Sequence, residues 1–290
     1  MYNIANMWLF FLFFHLIGLV GYNLLLRKSL TEKGDRLVLA TVMQTGIAIP
    51  MLFALFIAPP NLKVYDLSAV LHILVISSLI VSLHITNVQS LKYLEASVYS
   101  ILYNLRILFT TVLGIIFLNE KIIPLQILGG IFIFLAVVTV RQKGRRDLTN
   151  RGIEWGLAAS VVISVLNLFE KELINQVGYL SYAIPSMLLA AVMMWIILLK
   201  RGKRIPIKTF KEPKTMQLMA LRAISAYGFG LAFYAGGILS VSTYISSLSV
   251  IIIVLLGAIL LNEKDYMKQK LIATALAVAG LTTILIANLR

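Results

Sequence analysis

Long apolar runs alternate with short polar clusters along the whole chain, and the runs are too long for the core of a soluble domain. Read between charge clusters and Gly or Pro breaks, there are about ten. Most hold roughly 20 residues, the length a helix rising 1.5 Å per residue needs to cross a hydrocarbon layer about 30 Å thick. The expected spans are 7–26, 37–57, 69–90, 96–118, 122–140, 153–172, 182–199, 216–239, 240–261 and 270–287. The first run lacks the basic segment and small-residue cleavage site of a signal peptide, so it is expected to remain as a span.

The pattern also repeats. FLNEKIIP at 117–124 returns as LLNEKDYM at 260–267, about 143 positions later. Laid over each other, 97–121 and 240–264 share about 10 of 25 residues, among them Leu113-Gly114 against Leu256-Gly257. Upstream, Asn23 falls on Asn167, Arg27 on Lys171 and Gly34 on Gly178. The chain reads as a duplication, with one five-span half over 1–144 and a second over 145–290. Five is odd, so the second half enters the membrane from the other side. The expected fold is an all-α integral membrane protein of ten transmembrane helices in two inverted five-helix repeats, the plan of carriers that open one midplane site alternately to each face.

Composition agrees with lipid as the solvent: 60% of residues are hydrophobic and 13% charged. The net charge of +14 does not point to nucleic acid, because the basic residues sit in short loops and not on one module. About 20 of the 26 Lys and Arg fall in loops after odd-numbered spans, around Arg27 to Arg36, Arg141 to Arg151 and Lys200 to Lys214. That bias puts those loops in the cytoplasm and both termini outside. The lipid bilayer of the cell membrane is the expected surrounding, with multiple passes. The chain has no cysteine, which excludes disulfides and thiol-held metal.

Charges inside the spans are the candidates for chemistry. Arg106 lies near the middle of the fourth run, where a cation costs about 2.5–3.5 kcal/mol on insertion scales and must face protein or water. Tyr99, Tyr103, Arg106 and Thr110 share one helical stripe. At matched places in the second half stand Ser242, Ser246 and Ser249. Arg106 either ties helices together or holds a substrate carboxylate or phosphate, which its planar fork of donors fits. Glu120 and Glu263, in the two LNEK segments, either cap the helix that follows or gate one end of a cavity. Arg222 reads as an interfacial residue that snorkels to lipid phosphates, and Glu170 as part of a solvated helix end. His15, His72 and His84 are either proton relays or interhelical hydrogen bonds.

Two five-span repeats, each closing its fourth span on Leu-Asn-Glu-Lys after LGIIF or LGAIL, together with SLKYLEASVYSILYNL at 90–105, resemble the drug/metabolite transporter superfamily in its EamA-like branch. The likeness covers nearly the whole chain. It implies a small-metabolite exporter with no cofactor. Tyr99 and Arg106 also keep a Tyr-to-cation spacing similar to that of nucleotide-sugar transporters.

No catalytic constellation, metal-ligand spacing or ATP-binding loop is present in the sequence, so the chain is not expected to be an enzyme. The leading expectation is a secondary transporter of amino acids or organic anions, with protons a candidate coupling ion and the oligomeric state open. A nucleotide-sugar-like exchanger, a lipid flippase and a non-transporting scaffold are the alternatives; a central vestibule reaching Arg106 would favour a soluble solute over a lipid.

Overall fold

In a computed structural model the chain is described over residues 7–32, 34–57, 59–118, 124–140, 146–235 and 239–288, and every regular element among them is helical. The first half comprises α1 (Met7–Thr31), α2 (Arg36–Ile57), α3 (Leu67–Tyr93), α4 (Ala96–Tyr103), α5 (Leu105–Leu118) and α6 (Pro124–Val140). The second comprises α7 (Arg146–Val177), α8 (Tyr179–Lys200), the short α9 (Ile207–Phe210), α10 (Pro213–Tyr234), α11 (Leu239–Ser247), α12 (Ser249–Leu260) and α13 (Met267–Asn288). Among the described residues α1, α2, α3, α8 and the stretch Asn150–Val177 of α7 are long and apolar enough to cross a membrane. Large apolar side chains such as Phe10, Phe53, Phe56 and Phe134 stand exposed on the outside, which suits a hydrocarbon solvent and not water.

Two expected spans are corrected. The runs at 96–118 and 240–261 are each two helices, broken at Asn104 and at Leu248. Neither break carries Gly or Pro. At the first, the hydroxyls of Ser160 and Ser164 on α7 donate to the carbonyls of Leu102 (3.2 Å) and Arg106 (2.8 Å). A neighbouring helix thus supplies hydrogen bonds to carbonyls that flank the break, as irregular backbone at membrane depth requires. A third correction concerns the sixth run, expected to end at 172 and helical to Val177. Glu170 therefore lies inside α7, about two turns from its end.

The halves are interleaved. α1 lies along α10 and α7 lies along α3, so the first helix of each half packs on the third long helix of the other. α2 pairs with α8 and α6 with α13, each again joining corresponding helices of the two halves. α7 comes close to α3 and α4 at Gly152 and Gly156, where an added Cβ would meet Leu94 and Leu102 at 2.6 and 2.3 Å. The backbones of α1 and α10 approach as closely at Gly18, whose added Cβ would fall 2.5 Å from the Ser225 amide nitrogen.

Candidate functional site

The interleaving leaves a central cavity of about 350 Å³, a size typical of small-molecule sites. Its walls come from α1, α2, α3, α4, α5, α7, α8, α10 and α11. It extends to Asn175 and Tyr179 at the α7–α8 junction, the end of the bundle opposite Lys200.

Arg106 sits in the first turn of α5, directly after the break, and its side chain reaches the cavity. One terminal nitrogen donates to the hydroxyls of Ser246 (3.2 Å) and Ser247 (3.1 Å), and the guanidinium lies 4.8 Å from the centre of the Tyr103 ring. Its Nε is buried with no hydrogen-bond partner among the described residues. The Ser246 hydroxyl continues to His15 Nε2 (2.8 Å), and His15 Nδ1 lies 2.7 Å from the Ser225 carbonyl. A carbonyl only accepts, so Nδ1 carries a proton. Nε2 is then free to accept from Ser246, whose oxygen accepts from Arg106. The chain of donors runs from guanidinium to imidazole to backbone and joins α5, α11, α1 and α10.

Of the other residues expected from sequence, Tyr103 lines the cavity and Tyr99 is stacked behind it, ring centres 5.5 Å apart, with its hydroxyl donating to Asn87 (2.5 Å). Thr110 and Ser249 lie outside the lining. Ser242 is also outside, buried, with a hydroxyl that has no partner among the described residues. His84 donates through Nε2 to Gln44 (2.9 Å), which donates to the Met187 carbonyl (2.8 Å), and so ties α3, α2 and α8 together. His72 lies at the bundle end away from Lys200, 3.6 Å from Glu172.

Two charged residues read otherwise from sequence belong to the cavity. Arg222 lines it, 5.1 Å from the centre of the Tyr22 ring, where the sequence reading sent it to lipid phosphates. Glu170, read as solvated, lines it too and accepts a hydrogen bond from the Tyr182 hydroxyl. The signal for Glu170 was available in the stripe Ile163, Leu166, Asn167, Glu170 and Ile174, all lining residues at helical spacing. Arg222 needed the tertiary pairing of α10 with α1.

Glu263 lies far from this cavity lining, at the basic end. Asn262 ends α12 in the left-handed region (φ 56°), a conformation that Asn tolerates better than most residues. The chain then turns so that Glu263 accepts from the backbone amides of Ala96 (2.9 Å) and Ser97 (3.3 Å) and from the Ser97 hydroxyl (3.0 Å). It caps α4 of the other half and not the helix that follows it, because the left-handed turn reverses its direction. Gly257 leaves room for this: an added Cβ would stand 3.0 Å from the carboxylate. Arg27 approaches Glu263 at 3.5 Å while donating to the carbonyl of Leu91 (2.8 Å). Lys270, nearly fully buried, pairs with Glu95 and donates to the Glu263 carbonyl (2.8 Å). Lys203 pairs with Asp35 and Lys214 with Glu32 at the same end. Glu120, the matching residue of the first LNEK, lies outside the described residues.

The model of the EamA-like transporter family matches the sequence twice, over residues 6–142 and 150–286. No curated protein matches the sequence. A solved crystal structure is 16% identical, covers 96% of this chain and 96% of its own, and superposes with a TM-score of 0.66. At that identity the likeness concerns the fold alone.

Proposed function

This chain belongs to the EamA-like transporter family, whose members are membrane transporters of small molecules, and from that premise we propose a secondary transporter of amino acids or organic anions. It is a multi-pass membrane protein. The finer reading is ten crossings in two inverted halves, 1–144 and 145–290, working as an exporter at the cell membrane by alternating access. The exchanged packing of α1 on α10 and α7 on α3 supports the inverted relation.

The observation that carries the substrate class is Arg106. A guanidinium held in a central cavity by two hydroxyls and a ring, with Nε unpartnered, has donors and charge left for an anionic group. Ser246 and Tyr103 position it, and Tyr99 backs Tyr103. Ser242, Ser249 and Thr110 form the surrounding shell in this reading. A cavity that reaches Arg106 favours a soluble solute over a lipid. Arg27, Glu263, Glu95 and Lys270 keep the basic end shut while the cavity extends toward the other, as one state of an alternating carrier would. Glu120 is the corresponding gate residue of the first half. Protons are the candidate coupling ion.

The test is uptake by proteoliposomes of labelled amino acids and organic anions, per folded molecule, with and without a pH gradient. Arg106→Lys keeps the charge and loses the fork, so activity should fall in the order wild type, Lys, Ala. Equal transport by wild type and well-folded Arg106→Ala across both substrate classes would overturn the anchor.

A further inference from the structure

The cavity contains one acid among its cations, and the three charges are left apart. Arg106, Arg222 and Glu170 all line it. Among the described residues none of them has an oppositely charged partner within 4.0 Å, although five other ion pairs form elsewhere. Arg106 touches Ser246, Ser247 and the Tyr103 ring, Arg222 the Tyr22 ring, and Glu170 the Tyr182 hydroxyl, all of them uncharged partners. Charges at membrane depth are costly, and those that do not pair with each other face water or a ligand.

Their positions along the bundle are ordered. Ser164 on α7 donates to the Arg106 carbonyl, so the two residues share one level. Glu170 is on the same helix, about 9 Å further along at 1.5 Å per residue, toward the α7–α8 junction. Both side chains line the same cavity, so one solute within it can meet both charges. Asn167 lies between those two levels on α7, and Tyr103, Tyr179 and Phe229 line the same cavity.

We propose that Glu170, held by Tyr182, is a cation subsite that selects solutes bearing an ammonium group beside the carboxylate that Arg106 takes. This rests on the transporter reading and deepens it: the substrate is a zwitterion, and a plain organic anion is the poorer ligand. The anion meets attraction at Arg106 and like charge at Glu170. The zwitterion meets an opposite charge at both. Tyr182 orients the carboxylate through a single oxygen and leaves the other for the ammonium. The aromatic and aliphatic walls, Tyr103, Tyr179, Phe229 and Ile174, accept an apolar side chain.

The experiment measures binding of three probes to the purified full chain at neutral pH: leucine, its des-amino acid and its decarboxylated amine. Wild type should bind leucine about tenfold or more tightly than the des-amino acid, a ratio worth about 1.4 kcal/mol. Glu170→Gln should bring the two together by weakening leucine while the acid holds or gains, and Glu170→Asp should keep part of the preference. Arg106→Ala should weaken leucine and the acid alike. A merely structural Glu170 would lower thermal stability without moving the ratio, and a ratio unchanged in Glu170→Gln overturns the proposal. Should that variant fail to fold, equal binding of leucine and the acid by wild type overturns it as well. In both cases the loss of acid binding in Arg106→Ala would leave the transporter reading standing. A wild type that binds none of the three overturns both.

Discussion

At Ser246 one hydroxyl serves two partners, accepting from Arg106 and donating to His15. Its removal leaves a guanidinium donor and an imidazole nitrogen short of a partner, at about 1–3 kcal/mol for a buried polar group. Ser246→Ala should therefore lower the unfolding temperature of the purified protein and weaken substrate binding. Ser242 stands four residues away, and its buried hydroxyl has no partner among the described residues. Ser242→Ala should be neutral or stabilising in the same unfolding assay, because it removes an unsatisfied group. A Ser246→Ala protein as stable as wild type would show that the donor chain contributes nothing. The two serines look alike in sequence; only their neighbours separate them.

Between α1 and α10 the contact is backbone on backbone, so it depends on an absent side chain. A Cβ at Gly18 would stand 2.5 Å from the Ser225 amide and 2.6 Å from the Leu221 carbonyl, neither of which can rotate away. Gly18→Ala must push the helices apart, and overpacking of this kind costs about 1–3 kcal/mol. The Ser225 carbonyl that receives His15 would move with α10. The expected outcome is a less stable protein whose affinity for substrate also falls, read by thermal unfolding and ligand titration on one preparation. Unchanged values for both would mean that the helix pair yields without disturbing the site. The breaks at Asn104 and Leu248 belong to the same scale. They place Arg106 and Ser246 at helix ends facing the cavity, where an unbroken helix would have carried its polar stripe straight past it.

Across the molecule, charge divides the two ends. Arg27, Lys92, Lys203, Lys214 and Lys270 gather at one, beside Asp35, Glu95 and Glu263. If this end is cytoplasmic, as the Lys and Arg bias requires, a cysteine at Lys208 should stay unlabelled when intact cells meet an impermeant thiol reagent. A cysteine at Asn61, in the α2–α3 connection, should be labelled. The chain has no cysteine of its own, so each single variant reads one site. Labelling at Lys208 would invert the orientation and, with it, the face to which the cavity extends.

Sequence by itself determined the membrane class, the duplication and the need of Arg106 for polar partners, since each rests on a quantity carried along one strand of text. Apolar run length must match a bilayer, repeated residues must descend from repeated structure, and a cation inside an apolar run must find polar company. The repeated Asn-Glu-Lys was visible as well, but its use was not. Glu263 turns back to cap α4 because Asn262 adopts a left-handed turn and Gly257 makes room, and its target is more than 160 residues away in the chain. Glu170 and Arg222 looked like interfacial charges because a single run does not reveal which face of its helix a partner covers. The tertiary packing of α7 on α3 and of α10 on α1 turned them inward. Only the folded arrangement brings an acid and two guanidiniums from three distant helices to one cavity, because a hydrophobic pattern specifies that a helix is buried and leaves its neighbours to be chosen by shape.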